Sequence, residues 1–518
     1  MKICILTAGK GIRMAELGKK INKTLLPVEQ KSIISKIIES FSKNDEFVIA
    51  IGHLGEQVKN FLEISYPERK FEFVNVKNFS GKGSGPGLSL FECKKKLQEP
   101  FVFVAGDGIY EFDSKLNFNE NFIGVAKIES KKSKNYCNVL GKNGFVIDVK
   151  NKKKCSEKYF AFSGFLFVKD YEIFWNALKK SLKTNKESEM IYGIVGLIKK
   201  SKLKIKKIKW EDLGSYEKYT DYINKKTKFN FEKSNEFIYF IDNKVVKFFV
   251  DPSIVKKRIQ KTKIKQNIFP RILDSKSQFY SYSFHSGKTF YEHGNPKLFK
   301  KLLKWLEENV WSDYNTDKIK FQKKCKEFYL KKSIQRINSF KEKYPDYIFP
   351  KTCNQFEVLT ISEIFAKLPW KNIFDGKSTF IHGDLQFDNI IYDKKQKKIV
   401  LIDWRQDFAG LIKYGDMYYD LAKLHGGIIL NYDLIKKGLF QIKGKKNIQY
   451  NFSQRKNQKE MIKVFYEFCN SRKLDIKKIR LITGLIYLNM APLHHFPFDK
   501  LLISLGIEML SREIKNEK

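Results

Sequence analysis

Two stretches of this chain carry residues suited to phosphate chemistry, one near each end. Residues 6–14 read L-T-A-G-K-G-I-R-M, directly after an apolar run. Gly9 and Gly11 allow the backbone to approach a phosphate closely, and loop N–H groups can then cradle it. A plain strand-to-helix turn uses the same glycines, so the loop is informative only with its neighbours. Residues 381–389 read I-H-G-D-L-Q-F-D-N, and Ile402-Asp403-Trp404 follows. There an acid, Asp384, lies five residues before an amide, Asn389, and a second acid ends the next short apolar run.

The N-terminal loop has such neighbours. Asn22-Lys23-Thr24-Leu25-Leu26-Pro27-Val28 follows it, and residues 83–90 read G-S-G-P-G-L-S-L. Phe103-Val104-Ala105-Gly106-Asp107 ends an apolar run on an acid. Phe162-Ser163-Gly164-Phe165 is a small-residue segment, and Trp210-Glu211-Asp212-Leu213-Gly214-Ser215 precedes Tyr219. In this order the stretches resemble the nucleotidyltransferases that join a nucleoside triphosphate to a sugar phosphate or phosphocholine. Asn22 stands where that family has Pro. The resemblance implies that Ala8, Gly9, Gly11, Gly83 and Ser84 contact the nucleotide. It implies that Arg13 and Lys23 offset phosphate charge and that Asp107 and Asp212 hold Mg²⁺. The acceptor phosphate would attack the α-phosphorus and pyrophosphate would leave, so catalysis is positioning plus charge neutralisation. Lys10 and Lys150 are further candidates for phosphate contact.

The second stretch matches H-x-D-x-x-x-x-N, the catalytic loop of kinases. With Gly383 and Trp404 it is similar to aminoglycoside phosphotransferases and choline kinases. The resemblance implies that Asp384 orients the acceptor hydroxyl and that Asn389 and Asp403 hold Mg²⁺. Lys247, in V-V-K-F-F, stands where the ATP-phosphate lysine belongs, and Asp416 and Asp420 would support the loop. Two features depart from the pattern. Residues 252–268 contain no acid to pair with Lys247, leaving Asp251 as the nearby candidate, and no glycine-rich loop is present. The aromatic clusters at 279–284 and 305–311 read as core, and His494 and His495 as packing residues.

These residues need two scaffolds. Over the first 225 residues short apolar runs at 2–6, 46–51, 71–76 and 101–104 alternate with helical spacing at 32–43 and 55–62, which predicts an α/β domain. Strand signals at 122–128, 144–149 and 160–167 predict a mixed extension, followed by a helix at 175–182. The polar stretch 226–234 predicts a linker. Residues 236–250 read as a hairpin turning at Asp242-Asn243. From about residue 297 the pattern is mainly helical, with short strands at 379–381, 390–392 and 399–402. The expected fold is therefore two-domain α/β. Residues 1–225 form a Rossmann-like nucleotidyltransferase of GT-A type, its mixed sheet flanked by helices. Residues 235–518 form a bilobal, protein-kinase-like α+β domain.

A length of 518 residues accords with two cores, and 42% hydrophobic residues suffice to fill them. The net charge of +42 would suit a nucleic-acid or anionic-membrane partner. The excess is mostly Lys and runs along the whole chain, while Asn, Ile and Phe are abundant and Ala and Pro scarce. It reads as compositional bias, so no specific nucleic acid is expected. The seven Cys are scattered without a C-x-x-C pair, which fits reduced thiols rather than a disulfide framework or zinc site. The apolar start is broken by Gly9 and Gly11, and no run of 18 apolar residues occurs. The expectation is a cytoplasmic chain without membrane insertion, acting on small molecules.

The pairing predicts a bifunctional enzyme. ATP would phosphorylate a small hydroxyl metabolite, a sugar by preference. CTP or another nucleoside triphosphate would then activate the product, with Mg²⁺ at both sites, for surface-glycan or capsule synthesis. One alternative is an amino-alcohol substrate such as choline with CTP. Another is an active nucleotidyltransferase carrying a non-catalytic kinase-like domain. The base, the acceptor, the oligomeric state and any channelling are open at this level.

Overall fold

The computed structural model describes residues 1–111, 116–184, 189–226 and 235–516. The expected linker lies outside the described residues, except for Lys226, which ends the helix Tyr216–Lys226. The described residues group into two compact units. One comprises residues up to 226 together with 235–250 and 274–281; the other comprises 251–273 and 282–516.

The first unit includes the strands β1 (Lys2–Leu6), β2 (Glu46–Ile51), β3 (Lys70–Asn75), β4 (Phe101–Ala105), β5 (Gly108–Glu111), β6 (Phe122–Ala126), β7 (Cys137–Lys142), β8 (Phe145–Asn151), β9 (Phe160–Val168), β10 (Lys204–Lys207) and β11 (Lys209–Asp212). Nine of them form one sheet in the order β3-β2-β1-β4-β9-β6-β10-β8-β7, and β5 pairs with β11 separately. β1 runs parallel to β2 and β4, whereas β9 is antiparallel to β4 and β6, so the sheet is mixed. Residues alternate across a strand. Ile3 and Ile5 accordingly join one buried cluster and Cys4 the other, so both faces of β1 are covered.

Register brings the strand ends level. Leu6 pairs with Ala50 on one side and Ala105 on the other. The loops after β1 and β4, which carry Gly9 and Asp107, therefore leave the sheet at the same edge. That is where ligands bind in α/β sheets. Strands β5, β7, β10 and β11 were not anticipated from periodicity. Three are only four residues long, too short to show the alternation that marks a half-buried strand.

The hairpin at 236–250 forms as expected. Strands β12 (Glu236–Ile241) and β13 (Lys244–Phe249) turn through Asp242 at a φ of +49°. They join β14 (Ile272–Lys276) and β15 (Phe279–Ser283) in the order β12-β13-β15-β14. The hairpin's apolar face is not self-contained. Phe237, Tyr239, Ile241, Phe248 and Phe279 share one buried cluster with Phe61 of helix α1 (Gly55–Ser65). The Tyr239 and Phe61 rings meet edge-on at 4.9 Å, and the Tyr239 hydroxyl donates to the Leu25 carbonyl at 2.7 Å. This shared core is why the hairpin groups with the first unit.

The second unit is mainly helical and includes α2 (Pro252–Thr262), α3 (Lys332–Lys343) and α4 (Met417–Ile429). Strands Ile390–Asp393 and Lys398–Leu401 pair antiparallel, and the loop at 381–389 leads into the first of them. One region expected to be helical contains a four-stranded sheet instead, including Phe440–Lys443 and Asn447–Phe452. Among the described residues no helix is long and apolar enough to cross a membrane.

Candidate functional site

The N-terminal site collects at the shared edge of β1 and β4. Gly11 adopts a left-handed φ of +62°, and a Cβ on Gly9 would meet nothing within 4 Å, so the loop is open to an approaching group. Asn22, standing in place of Pro, ties this region together. Its amide donates to the carbonyls of Thr7 and His53, and its oxygen caps the turn by accepting from Thr24 N–H. That turn aims Lys23 at Asp107, with Nζ 2.5 Å from Oδ2.

Asp212 arrives from the opposite end of the domain. Pairing of β5 with β11 sets Asp212 against Gly108, and Leu213 N–H donates to the Asp107 carbonyl at 3.0 Å. A Cβ built on Gly214 would lie 3.0 Å from Asp212 Oδ1, 3.1 Å from Asp107 Oδ2 and 3.2 Å from Arg13 Nη2. Two carboxylates and a guanidinium thus converge on the space a glycine leaves clear. Burial pushes the Asp107 carboxyl up, but Lys23 and then Arg13 outweigh it and hold it below its usual value. Asp212 Oδ2 accepts from the Tyr136 hydroxyl at 2.9 Å and from Lys218 Nζ.

A cavity of about 240 Å³ opens here, with Arg13, Asp107, Asp212, Tyr136 and Trp210 in its wall. Of the sequence candidates, Arg13, Asp107 and Asp212 line it, and Lys23 reaches it through Asp107. Ala8, Gly9 and Gly11 lie on the neighbouring loop. Gly83 and Ser84 lie on the loop entering the helix Pro86–Glu92, of which Pro86 lines the cavity. Lys150 turns away, toward Asp148 and the Tyr159 ring. Lys152 lines the cavity in its stead, paired with Glu189 at 2.7 Å. Tyr136, Lys152 and Lys218 carried no motif. Lys218 offered one usable signal, its place in the helix that begins just after Asp212.

The second site is held from beneath by Asp420 of α4. Its fully buried carboxylate accepts from His382 N–H, Gly383 N–H and Trp311 Nε1–H at 2.8, 2.7 and 3.2 Å. Burial pushes its pKa up to about 6 despite those three donors. Burial, aided by Lys261, pushes His382 down to about 3, so its ring is neutral. One ring nitrogen meets the Ile402 carbonyl at 3.0 Å and the other accepts from Asp384 N–H. The ring thereby joins the loop to the strand that precedes Asp403. The Asn389 amide donates to the Asp384 carbonyl, which turns the loop back on itself. Lys423 Nζ lies 2.8 Å from Asp384 Oδ1.

The helix without acids reaches this site with bases. Arg258 of α2 pairs with Asp403 Oδ1 at 2.6 Å, and Lys261 donates to the carbonyls of Arg405 and His382. Arg258, Lys261 and Lys423 were not anticipated. The missing acid was visible in the sequence, but which base takes its place was not. Lys247 lies buried on β13 of the first unit, while Asp384, Asn389 and Asp403 lie in the second.

Among the described residues no three His, Cys, Asp or Glu side chains gather as a metal cluster. Mg²⁺ asks for less, one or two carboxylates with the remaining positions filled by water and substrate phosphate. Asp107 and Asp212 around Gly214 fit that requirement, and Asp403 with Asn389 offers the same kind of oxygen donors.

The two regions each match a known family model. Residues 2–229 match the family model described as nucleotidyl transferase, and residues 327–433 match that described as phosphotransferase enzyme family. A UTP–glucose-1-phosphate uridylyltransferase of Synechocystis sp. is 25% identical over 127 residues, covering 22% of this chain and 32% of that protein. A D-glycero-α-D-manno-heptose 1-phosphate guanylyltransferase of Campylobacter jejuni is 27% identical over 132 residues, covering 24% of this chain and 57% of that protein. The chain thus spans about a third and somewhat over half of these relatives. A solved UDP-glucose pyrophosphorylase in complex with UDP-glucose aligns at 17% identity and a TM-score of 0.38, covering 43% of this chain and 97% of that one.

Proposed function

We propose that this chain is a bifunctional enzyme that phosphorylates a small hydroxyl compound and then activates the product with a nucleoside triphosphate. The observation that carries the reading is the convergence of Arg13, Asp107 and Asp212 on the space beside Gly214. In the second step the loop amides at Gly9–Gly11 cradle the triphosphate, and Arg13 and Lys23 offset its charge. An oxygen of the acceptor phosphate attacks the α-phosphorus, the bond to the bridging oxygen breaks, and pyrophosphate leaves. Asp107 and Asp212 would hold Mg²⁺, which supplies further charge neutralisation there. The sugar-1-phosphate substrates in the names of the two relatives favour a sugar-type acceptor. The product would then serve surface-glycan or capsule assembly.

In the first step Asp384, fixed through Oδ1 by Lys423, orients the acceptor hydroxyl. The hydroxyl oxygen attacks the γ-phosphorus of ATP, ADP leaves, and the hydroxyl proton passes to the Asp384 carboxylate. Asn389 and Asp403 would hold Mg²⁺. One observation favours a second reading, in which the kinase-like region binds without catalysing. Arg258 covers Asp403 Oδ1.

Mass spectrometry of nucleoside triphosphate and acceptor pairs separates the readings. With unphosphorylated acceptor, ATP and a second nucleoside triphosphate, the wild type should give the nucleotide-activated product. Asp384→Ala should fail unless given phosphorylated acceptor, and Asp107→Ala should stop at the phosphorylated acceptor. Absence of Asp384-dependent phosphorylation across sugars and amino alcohols would favour the second reading.

A further inference from the structure

Beside Asp384 and its partner Lys423 the second unit carries three cations that the transfer chemistry above does not use. Lys332 and Arg336 lie one turn apart on α3. Arg405 packs onto the catalytic loop, close enough that a Cβ on Gly383 would lie 2.7 Å from its own Cβ. The Arg405 guanidinium and Lys332 Nζ both sit over the Phe328 ring, at 5.1 and 4.3 Å from its centre. Lys423 adds a fourth cation on Asp384. The three outer cations border a cavity of about 680 Å³, whose wall also holds the amides of Gln335 and Asn338 and one acid, Glu342.

Among the described residues none of Lys332, Arg336 and Arg405 forms an ion pair with a carboxylate. Burial, followed by Arg405, Arg336 and Lys423, drives the Lys332 ammonium well below its ordinary range. Like charges gathered at this spacing destabilise one another unless an anion comes between them. Arginine forks also match the geometry of a carboxylate or phosphate. A cationic acceptor would meet repulsion here instead.

We infer that the acceptor of the kinase-like site is an anionic hydroxy compound, a carboxylate or a phosphate ester, held by Lys332, Arg336 and Arg405 while Asp384 faces its hydroxyl. The inference rests on the kinase reading of Asp384. Arg336 and Lys332 act as specificity residues: they hold the acceptor's charge and take no part in the transfer.

The test is ADP release by the full-length protein with four probes: D-gluconate, D-glucose 6-phosphate, D-glucose and ethanolamine. Asp384→Ala serves as the blank. The two anionic probes should be turned over and the neutral and cationic ones should not; gluconate against glucose 6-phosphate separates carboxylate from phosphate. Arg336→Ala should raise the acceptor KM roughly tenfold, the loss of one charge-assisted hydrogen bond, with the ATP KM unchanged. Arg336→Lys should recover part of it. Turnover of glucose or ethanolamine unaffected by Arg336→Ala would overturn the inference while leaving the kinase reading intact. A rise in the ATP KM alone would overturn it too, by assigning the cluster to the triphosphate. If no probe gives Asp384-dependent ADP release, the kinase reading falls and calorimetry decides the inference. Binding of gluconate or glucose 6-phosphate that weakens in Arg336→Ala sustains an anion site, and no binding removes it.

Discussion

The Asp107–Asp212 site and the Asp384–Asp403 site hold their acids in opposite ways. In the first, the carboxylates stand at strand ends, and Lys23 and Lys218 pair with them. The Lys218 side chain is 33% exposed. Lys218 can change partners at modest cost, because ion pairs open to solvent contribute little. In the second, Asp403 is paired with Arg258, whose side chain is 8% exposed, and the loop rests on the fully buried Asp420. Such groups are expensive to uncouple. The difference lies in the cations: Lys218 keeps a third of its side chain open to solvent, whereas Arg258 does not.

The largest expected effect tests whether the two sites are separable. Asp107→Ala should lower nucleotidyl transfer by about a hundredfold or more while leaving ADP release intact, and Asp384→Ala should do the reverse. Product analysis on the two variants reads this directly, and loss of both activities in either one would break the comparison.

Next comes the frame under the kinase-type loop. Asp420 has a folded pKa of about 6 against an ordinary 3.8. A raised folded pKa in an acid means the folded state holds the proton more tightly. The resulting stability is full below pH 4 and is lost as pH rises through about 6, roughly 3 kcal/mol in all. Urea denaturation between pH 4 and 7 should show that slope in the wild type and not in Asp420→Asn. An unchanged slope would remove Asp420 as its source.

The two counter-cations provide a direct contrast. Arg258→Met should destabilise by about 2–3 kcal/mol, because it leaves the partly buried Asp403 without its buried counter-charge, whereas Lys218→Met should cost about 1 kcal/mol or less. Denaturant midpoints for the pair measure this, and equal losses would contradict the difference in build. The smallest effect is expected at Tyr239→Phe. It removes one buried hydrogen bond to the Leu25 carbonyl and should cost about 1 kcal/mol, read as a small shift in Tm.

Much of the first site was legible as residue types. Gly9, Arg13, Lys23, Asp107 and Asp212 all stand in recognisable stretches, and glycine loops and strand-end acids are local features. Their meeting was not legible. Asp107 and Asp212 lie 105 positions apart and are joined by a strand pair of four residues each, too short to show a period. The second site was read from one loop. The sequence showed that residues 252–268 lack an acid, but side-chain direction on a helix depends on what packs around it, so Arg258 reaching Asp403 was invisible. The cation cluster was hidden for another reason. In a chain with 99 Lys and Arg, no single one stands out until Phe328 and the loop at Gly383 gather three of them.

The hairpin at 236–250 marks the division most plainly. Local chemistry marked it: apolar runs on either side of an Asp-Asn turn point to two paired strands. Local chemistry likewise determined the glycine loop, the kinase-type loop and the strand-end acids, since each needs only its immediate neighbours. Only the tertiary structure decided where the hairpin's apolar face is buried, against Phe61 some 180 residues earlier in the chain. It also decided that Asp212 meets Asp107 and that three lysine and arginine side chains face one cavity. Burial and charge act between whatever surfaces the fold brings together, and sequence separation does not limit them.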